Sequence, residues 1–444
     1  MRIEGLRTEQ DGAMARSVAS VVWEDNCRPQ RDIYFEVDKT FADYLTPDPH
    51  AFLVACLVPA VHHGEKRILV DETICPELRN GLITNMRWLE AWYSPGCKPV
   101  RIEAKPGVRP PRLNREERAG GFLSGGLDSL ATLRANRLDF PRDHPRSLKD
   151  CLVVYGFDYG GLEADDQQAE PFERALTSLS NIARDAEVNL IRVGTNIRHL
   201  DDNVDFWMQE FHGAALAAVA HAVSNRLTRV NIASSERVPR IPPWGSHPLL
   251  DSNYGSTDLQ IWHDGLRYSR LEKAELVAGW DVALQNIRVC NEHPPGALNC
   301  GRCEKCVRTM LEFLVVGGLS RASAFPVNEV SRELLEEVLT VEKLRYCVNE
   351  YSELIEPLAE QGRPDLSRVI QDRFVQLEKH LAWEKEQDWK GAIKLFDRKY
   401  LGSALFRSYR AIRRLLRSTA LKSYLCLGIA IGLGPSAVLL GEVR

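Results

Sequence analysis

The chain has 444 residues, of which 44% are hydrophobic and 27% charged. This composition excludes a disordered or fibrous chain and predicts a globular protein of roughly two to three domains. Its 57 basic and 61 acidic residues give a net charge of −4, so the molecule as a whole has no positive field that would attract nucleic acid.

The eleven cysteines are clustered rather than evenly spaced. Three of them lie in Cys300-Gly-Arg-Cys303-Glu-Lys-Cys306, and the N-terminus shows no basic-then-apolar secretory signal. This distribution favours a metal site in a reducing compartment over a disulfide framework. We therefore expect a cytoplasmic protein.

Residues 1–112 alternate short β-rich runs with stretches of helical periodicity, which predicts a small α/β domain. The predicted strands are Asp32–Val37, Arg67–Val70 and Pro99–Ile102, and the predicted helices are 50–62 and 76–93. Three prolines and a glycine in 105–112 oppose regular structure and predict a linker.

Residues 113–320 continue the alternation with longer helices. The predicted strands are Gly120–Leu123, Cys151–Phe157, Val188–Val193, Arg229–Ala233, Leu259–His263 and Ile287–Cys290, and the predicted helices are 129–137, 168–186 and 203–225. Strands separated by such helices predict an α/β domain with a parallel sheet covered on both faces. Ligands of such sheets bind beyond the carboxyl ends of the strands.

The remainder is predicted to be a helical region over 321–400 and a tail over 401–444. Residues 401–422 contain six basic residues and no acidic one, and 423–441 carry no charge. An uncharged stretch of this length is near the lower limit for spanning a bilayer, although its glycines and Pro435 weaken a helix. Membrane contact and a packed or poorly ordered C-terminal helix are the alternatives.

The segment Ser124-Gly125-Gly126-Leu127-Asp128-Ser129 lies between an apolar strand and an amphipathic helix. The glycines allow backbone N–H groups to approach phosphate oxygens, the serine hydroxyls add donors, and the helix N-terminus adds partial positive charge. No Gly-Lys-Ser/Thr ending follows, so the segment is not a Walker loop. The alternative is a glycine turn capped by Ser or Asp.

This segment resembles the Ser-Gly-Gly-x-Asp-Ser signature of the N-type ATP pyrophosphatases of the PP-loop superfamily, and every signature position matches. The resemblance implies an adenine nucleotide alpha hydrolase-like, Rossmann-like domain. It also implies that ATP is cleaved to AMP and pyrophosphate while a substrate is activated as its adenylate.

Cys290 ends a predicted strand, and Cys300, Cys303 and Cys306 follow after nine residues. Four thiolates at this spacing can surround Zn²⁺ as a tetrahedron, and such a closed shell leaves no position for activated water. A structural zinc site is expected. His293 in place of Cys290, an iron–sulfur cluster and free thiols are the alternatives.

The two motifs together look like those of the 7-cyano-7-deazaguanine synthase family, over about residues 118–318. Further local matches are Phe157-Asp158-Tyr159-Gly160, Lys273 within Leu271–Leu276, and Arg308 after the cysteines. The family activates a carboxylate with ATP and lets ammonia displace AMP. Gly161-Leu162-Glu163 and the segment 234–251 depart from the family pattern, so the resemblance implies the ATP chemistry and the zinc but not the product.

Roles for single residues follow from these motifs. Ser124 to Ser129 are expected to bind the ATP phosphates, and Asp128 to bind Mg²⁺ directly or through water. The backbone from Phe157 to Tyr159 is expected to contact adenine and ribose, with Tyr159 either a stacking partner or a core aromatic. Lys273 either stabilises the α-phosphate as charge develops there, or is a solvated helix lysine.

A long loop after the fourth strand of this domain is expected to bind the second substrate, because loops above parallel strands are where sites collect. Its polar and aromatic residues are Ser234, Ser235, Glu236, Arg237, Trp244, Ser246, His247 and Asp251. His247 is the candidate general base for an attacking amine. The alternative is turn chemistry around the prolines.

The sequence thus predicts an ATP-dependent enzyme that adenylates a small-molecule carboxylate, or a carbonyl oxygen, for attack by a nitrogen nucleophile. A PP-loop RNA-modifying enzyme is one alternative, although only 401–422 offers a basic surface for RNA. A zinc-bearing protein that senses nucleotide or binds a partner is another. Oligomeric state is left open.

Overall fold

The structure is a computed structural model, and it describes residues 1–93, 99–107, 112, 115–160 and 169–387. The tail predicted over 401–444 and the segment Gly161–Glu163 lie outside the described residues. Met1–Ile370 form one compact unit, and all sites considered below lie in it.

Within the described residues, ten strands form one sheet in the order β10-β9-β6-β7-β8-β3-β2-β1-β4-β5. The strands are β1 Arg2–Asp11, β2 Met14–Val22, β3 Arg31–Asp38, β4 Arg67–Val70, β5 Arg101–Ala104, β6 Ala119–Phe122, β7 Leu148–Tyr155, β8 Asn189–Thr195, β9 Arg229–Ala233 and β10 Gln260–Asp264. The sheet is mostly parallel, which confirms the predicted α/β class.

The half of the sheet formed by β6 to β10 is entirely parallel. In chain order its strands are arranged 3-2-1-4-5, so the order reverses between β6 and β9. In open α/β sheets, ligands bind in the crevice beyond the carboxyl ends of the strands at such a reversal. The predicted phosphate loop follows β6 and therefore lies at this crevice.

Strands from the first 112 residues extend the same sheet. β3 pairs antiparallel with β8, placing Phe35 opposite Thr195 and Val37 opposite Val193. The small N-terminal domain predicted over 1–112 thus shares its sheet with the segment 113–320, whereas the domain boundaries themselves stay predictions. β1 and β2 were absent from the predicted strands.

Helices cover the sheet and make up most of the described chain from residue 301 to residue 387. They are α1 Pro49–His62, α2 Pro76–Trp92, α3 Leu127–Asp139, α4 Ala169–Asp185, α5 Val204–Phe206, α6 His212–Ala222, α7 Pro248–Asp251, α8 Arg270–Ala278, α9 Asp281–Asn286, α10 Glu304–Val315, α11 Arg332–Val338, α12 Val341–Tyr346, α13 Val348–Ser352, α14 Ile355–Glu360 and α15 Pro364–Gln387. α1 and α6 are apolar on nearly every face and pack against each other in the core.

Two predicted elements differ from the structure. Ile287–Cys290 is not a strand, because its backbone pairs with a side chain rather than with the sheet, as shown below. The helix predicted over 203–225 is interrupted by a π-helical turn, Trp207–Phe211, a feature often found at functional sites. Within the residues described, no helix is both long and apolar enough to cross a membrane.

Candidate functional site

The loop after β6 has the features of an anion cradle. The Ser124 hydroxyl accepts the Gly126 N–H at 3.3 Å, the Ser129 hydroxyl donates to the Gly126 carbonyl at 2.9 Å, and the two hydroxyl oxygens lie 3.3 Å apart. α3 begins at Leu127, and Gly126 offers it no side-chain cap. The first N–H groups of α3 are therefore left for water or a ligand, and the helix dipole favours an anion there.

Substitution of Gly125 tests whether this loop binds phosphate. Its φ is +81°, and an added Cβ would lie 3.0 Å from Leu179 Cδ2. We expect Gly125→Ala to cost about 1–3 kcal/mol of stability through backbone strain and to weaken ATP binding by distorting the loop. Titration with a fluorescent ATP analogue and chemical unfolding measure the two effects.

Gly362→Ala is the matched control, because Gly362 has a φ of +74° but nothing within 4 Å of an added Cβ. It should lose stability through strain and keep the ATP affinity of the natural protein. Equal ATP affinity in the Gly125 variant and the natural protein would show that the loop does not bind the nucleotide.

Lys273 lies buried against the predicted phosphate loop with 1% of its surface exposed, so the alternative of a solvated lysine is wrong. Its Nζ donates to Asp128 Oδ1 at 2.9 Å and to the carbonyls of Ser234 and Ser235 at 2.5 and 3.2 Å. The lysine therefore joins the start of α3 to the segment after β9. α8 presents it from its first turn, which Ser269 and Glu272 close as a capping box.

Arg270 forms an ion pair with the second carboxylate oxygen of Asp128. Its Nη1 lies 3.1 Å from Asp128 Oδ2, and its Nε donates to Glu312 Oε1 at 3.1 Å. Burial raises the pKa of Asp128, but the charges of Lys273 and Arg270 outweigh burial and lower it, so Asp128 is ionised. Because each oxygen already faces a cation, Asp128 has little unshared charge for direct binding of Mg²⁺.

Arg308, noted in the sequence because it follows the cysteines, is held by acidic residues. Its Nε lies 2.8 Å from Glu304 Oε1, and its Nη1 lies 2.9 Å from Glu350 Oε1. Burial lowers the pKa of Arg308, but the neighbouring glutamates outweigh burial and raise it. Arg308 therefore joins α10 to α13.

Arg288 is a site residue that the sequence analysis missed. Its backbone N–H donates to the Gly125 carbonyl at 2.9 Å, and its guanidinium lies 4.6 Å from the centre of the Tyr159 ring. Its Nη2 lies 3.7 Å from a carboxylate oxygen of Asp158, which is largely exposed, and its Nε has no hydrogen-bond partner among the residues described. The available signal was a basic residue within the predicted strand Ile287–Cys290, two positions before the first cysteine of the cluster.

The rings of Phe157 and Tyr159 are packed inside the protein. Tyr159 is 5% exposed and contacts Arg288 and His293, whose ring lies 4.5 Å from its own. Phe157 packs edge-on against Trp207 at 5.0 Å, and its carbonyl accepts a hydrogen bond from Arg198. This packing favours the core-aromatic alternative for Tyr159, and an adenine contact by the backbone stays a prediction.

Beside the loop after β9, the histidine that lies within hydrogen-bond distance of a carboxylate is His263 and not His247. His247 begins α7, where its Nδ1 accepts the Leu249 N–H at 3.1 Å, and it shows no hydrogen bond to Asp128, Ser129 or Lys273. His263, on β10, instead lies 2.7 Å from Asp251 Oδ2 through its Nδ1, and Asp251 also accepts from Ser246. The role of His247 as general base stays a prediction.

The four predicted cysteines come together. Sγ of Cys290 lies 3.9 Å from that of Cys303, Cys300 and Cys306 are also 3.9 Å apart, and all four sulfurs lie within 4.8 Å of one another. Zinc bonds of 2.3 Å in a tetrahedron require sulfur separations of about 3.8 Å. The cluster could therefore hold a metal ion. His293 contacts Tyr159 instead and does not belong to this group.

Asn299 positions Cys290 beside the other three cysteines. Fully buried, it accepts the N–H groups of Val289 and Cys290 at 2.9 and 3.2 Å and donates to the carbonyls of Ile287 and Ala324. Since Arg288 belongs to the same segment and bonds to Gly125, one side chain links the cysteine cluster to the phosphate loop.

Comparison with known proteins identifies no relative: no protein-family model matches the chain, and neither the curated proteins nor the solved structures give a significant match. Function must therefore be inferred from the residues and their geometry.

Proposed function

We propose that this protein is an ATP pyrophosphatase-type enzyme that adenylates a carboxylate, or a carbonyl oxygen, for attack by a nitrogen nucleophile. The observation that carries the proposal is the uncapped, glycine-rich start of α3 at the strand-order reversal, with Lys273 and Arg270 gathered beneath it. A loop that offers N–H groups to an anion, with buried cations beside it, suits the phosphates of a nucleoside triphosphate.

In this proposal the residues of the loop have separate roles. The N–H groups of α3 and the hydroxyls of Ser124 and Ser129 bind the β- and γ-phosphates, and Arg288 adds positive charge beside Gly125. Asp128 positions Lys273, which stabilises charge at the α-phosphate as it develops. Mg²⁺ would be held by the phosphates, with Asp128 reached through water, and would offset charge on the pyrophosphate.

The reaction has two balanced steps. An oxygen of the substrate carboxylate attacks the α-phosphorus, the bond from that phosphorus to the bridging oxygen breaks, and pyrophosphate leaves. The nitrogen nucleophile then attacks the acyl carbon and AMP leaves with the oxygen, while a base accepts the proton from nitrogen. The second substrate is proposed to bind near the loop after β9.

The four cysteines are proposed to hold Zn²⁺. A closed shell of four thiolates leaves no open position, so the metal would stabilise the segment 287–306 rather than take part in catalysis. The N–H groups of Glu292 and Cys303, which bond to cysteine sulfurs at 3.3 and 3.2 Å, are of the kind that orient metal-bound thiolates.

The test is incubation with Mg²⁺, α-labelled ATP and a panel of carboxylates that includes 7-carboxy-7-deazaguanine. We expect AMP and pyrophosphate to form only with a cognate acceptor. Asp128→Ala should abolish their formation, whereas Asp139→Ala, at the exposed far end of α3, should not. Release of ADP, or tight ATP binding without turnover across the panel, would contradict the proposal and favour a nucleotide-sensing protein.

A further inference from the structure

A second group of metal-ligating side chains lies away from the cysteines, on the N-terminal half of the chain. His62 is the last residue of α1, His63 follows it, and Asp201 follows the short turn after β8. One ligand atom from each of the three lies within 4.8 Å of the others. Glu210, in the π-helical turn, is 3.5 Å from His62 Nδ1. The end of α1 and the turn after β8 therefore bring three ligand atoms together, and Glu210 contacts one of these residues, His62.

Asp201 is buried and oriented by its neighbours. Its Oδ1 accepts the Asn203 N–H at 2.8 Å, and its Oδ2 lies 2.7 Å from His63 Nε2 and 3.2 Å from Arg28 Nη2. Carboxylates that ligate a metal ion are typically held in place by hydrogen bonds of this kind. The remaining partner, His62, is 37% exposed, which gives an ion a path from solvent.

We propose that His62, His63 and Asp201 bind a divalent first-row transition cation such as Zn²⁺ or Co²⁺, and that Glu210, 3.5 Å from His62 Nδ1, orients His62. Two imidazoles with carboxylate oxygens form a ligand set that suits these ions and not Mg²⁺ or Ca²⁺, which prefer oxygen alone. Bonds of about 2.1 Å in a tetrahedron need ligand atoms about 3.4 Å apart. The three ligand atoms lie within 4.8 Å of one another, so ion binding would require the side chains to adjust to that spacing.

Substitution of Arg28 distinguishes a metal site from a simple ion pair at Asp201. Its side chain lies beside Asp201, is 39% exposed, and is anchored through a hydrogen bond to the Leu200 carbonyl. The guanidinium orients the carboxylate but also repels a cation. Removal of this charge should therefore tighten metal binding, an effect that a simple ion pair between Arg28 and Asp201 would not produce.

A bound ion would crosslink the two halves of the sheet. α1 lies between β3 and β4 in the sequence, whereas Asp201 and Glu210 follow β8. The site is independent of the proposed ATP chemistry, since it shares no residue with the phosphate loop or the cysteine cluster.

The experiment measures Co²⁺ and Zn²⁺ binding to the full chain. Elemental analysis and titration should give two equivalents per chain, one at the cysteines and one at the histidines. Cobalt at the histidines should show only weak visible bands, because intense thiolate charge transfer requires cysteine ligands. His63→Gln should weaken the second equivalent roughly tenfold or more and leave the thiolate bands unchanged. Arg28→Gln should strengthen it.

Two further variants keep the test decisive. His62→Gln changes a partly exposed side chain and serves if His63→Gln does not fold. His380→Gln removes a histidine from an i, i+4 pair with Glu384 on α15 and should leave both equivalents unchanged. A natural protein that binds only the thiolate-ligated ion, or folded His62 and His63 variants that retain the second ion at full affinity, would overturn the proposal.

Discussion

Replacement of Lys273 by methionine is expected to lower the rate of AMP formation by about two to three orders of magnitude. The lysine is the only cation bonded both to Asp128 and to the segment after β9 in the described part of the chain. Without it, charge developing at the α-phosphate loses a fixed positive partner. Single-turnover measurement of AMP at saturating ATP separates this effect from nucleotide binding.

The same change should reduce the free energy of unfolding by about 3–5 kcal/mol. Methionine fills the space but donates no hydrogen bond, so Asp128 Oδ1 and two backbone carbonyls lose their donor. A cycle with Asp128→Asn should show a coupling energy of about 1–3 kcal/mol, because the two side chains are in direct contact.

Lys305→Met is the control for loss of a positive charge near the cysteines, since Lys305 is exposed and bonds only to Asn291 in the described structure. It should leave both activity and stability nearly unchanged. A folded Lys273→Met protein that forms AMP at the natural rate would remove Lys273 from the proposed mechanism.

The strands of the parallel half could be predicted because each is a short apolar run bounded by turn residues. Arg229–Ala233 matches β9 at both ends, and the other four strands of this half were located within a few residues. β1 was not predicted because it is not an apolar run. Only Ile3 is fully buried within Arg2–Glu9, so pairing with β2 rather than core burial makes it a strand.

Ile287–Cys290 has the β-branched composition of a strand but not its pairing. The side chain of Asn299, about ten residues later, bonds to the Val289 and Cys290 N–H groups and to the Ile287 carbonyl, and the Arg288 N–H bonds to Gly125. A propensity describes the chain locally and cannot reveal that a buried amide will replace a neighbouring strand. The pairing of β3 with β8 was inaccessible for a related reason, because about 150 residues separate the two strands.

The candidate site divides in the same way. The phosphate loop and the cysteines are local motifs, and the sequence placed their members together correctly. The ionic partners of Asp128 both come from α8, more than 140 residues away, and nothing in the sequence marks Arg270, or its own partner Glu312, as a member of the site. Lys273 was identified only through its resemblance to a family lysine.

Asn299→Ala is also expected to have a large effect, on stability and on the affinities for metal and ATP. The substitution removes four hydrogen bonds and leaves two N–H and two carbonyl groups buried without partners, a loss of about 3–5 kcal/mol of stability. Because these bonds position Cys290 and Arg288, metal affinity and ATP affinity should fall together. Chelator competition, nucleotide titration and chemical unfolding measure the three quantities.

Asn136→Ala provides the comparison. Asn136 is also buried and bonds through its amide to the backbone of Arg146 and Leu148, near the C-terminal end of α3, whereas the phosphate loop lies at the other end of this helix. It should lose stability without losing the cysteine-bound metal. If Asn299→Ala behaves like Asn136→Ala, retaining natural affinity for metal and ATP, the segment 287–290 does not couple the cysteine cluster to the phosphate loop. A combined loss only in the Asn299 variant would show that the metal site stabilises the nucleotide site through Arg288 and Gly125, which are joined by a hydrogen bond of 2.9 Å.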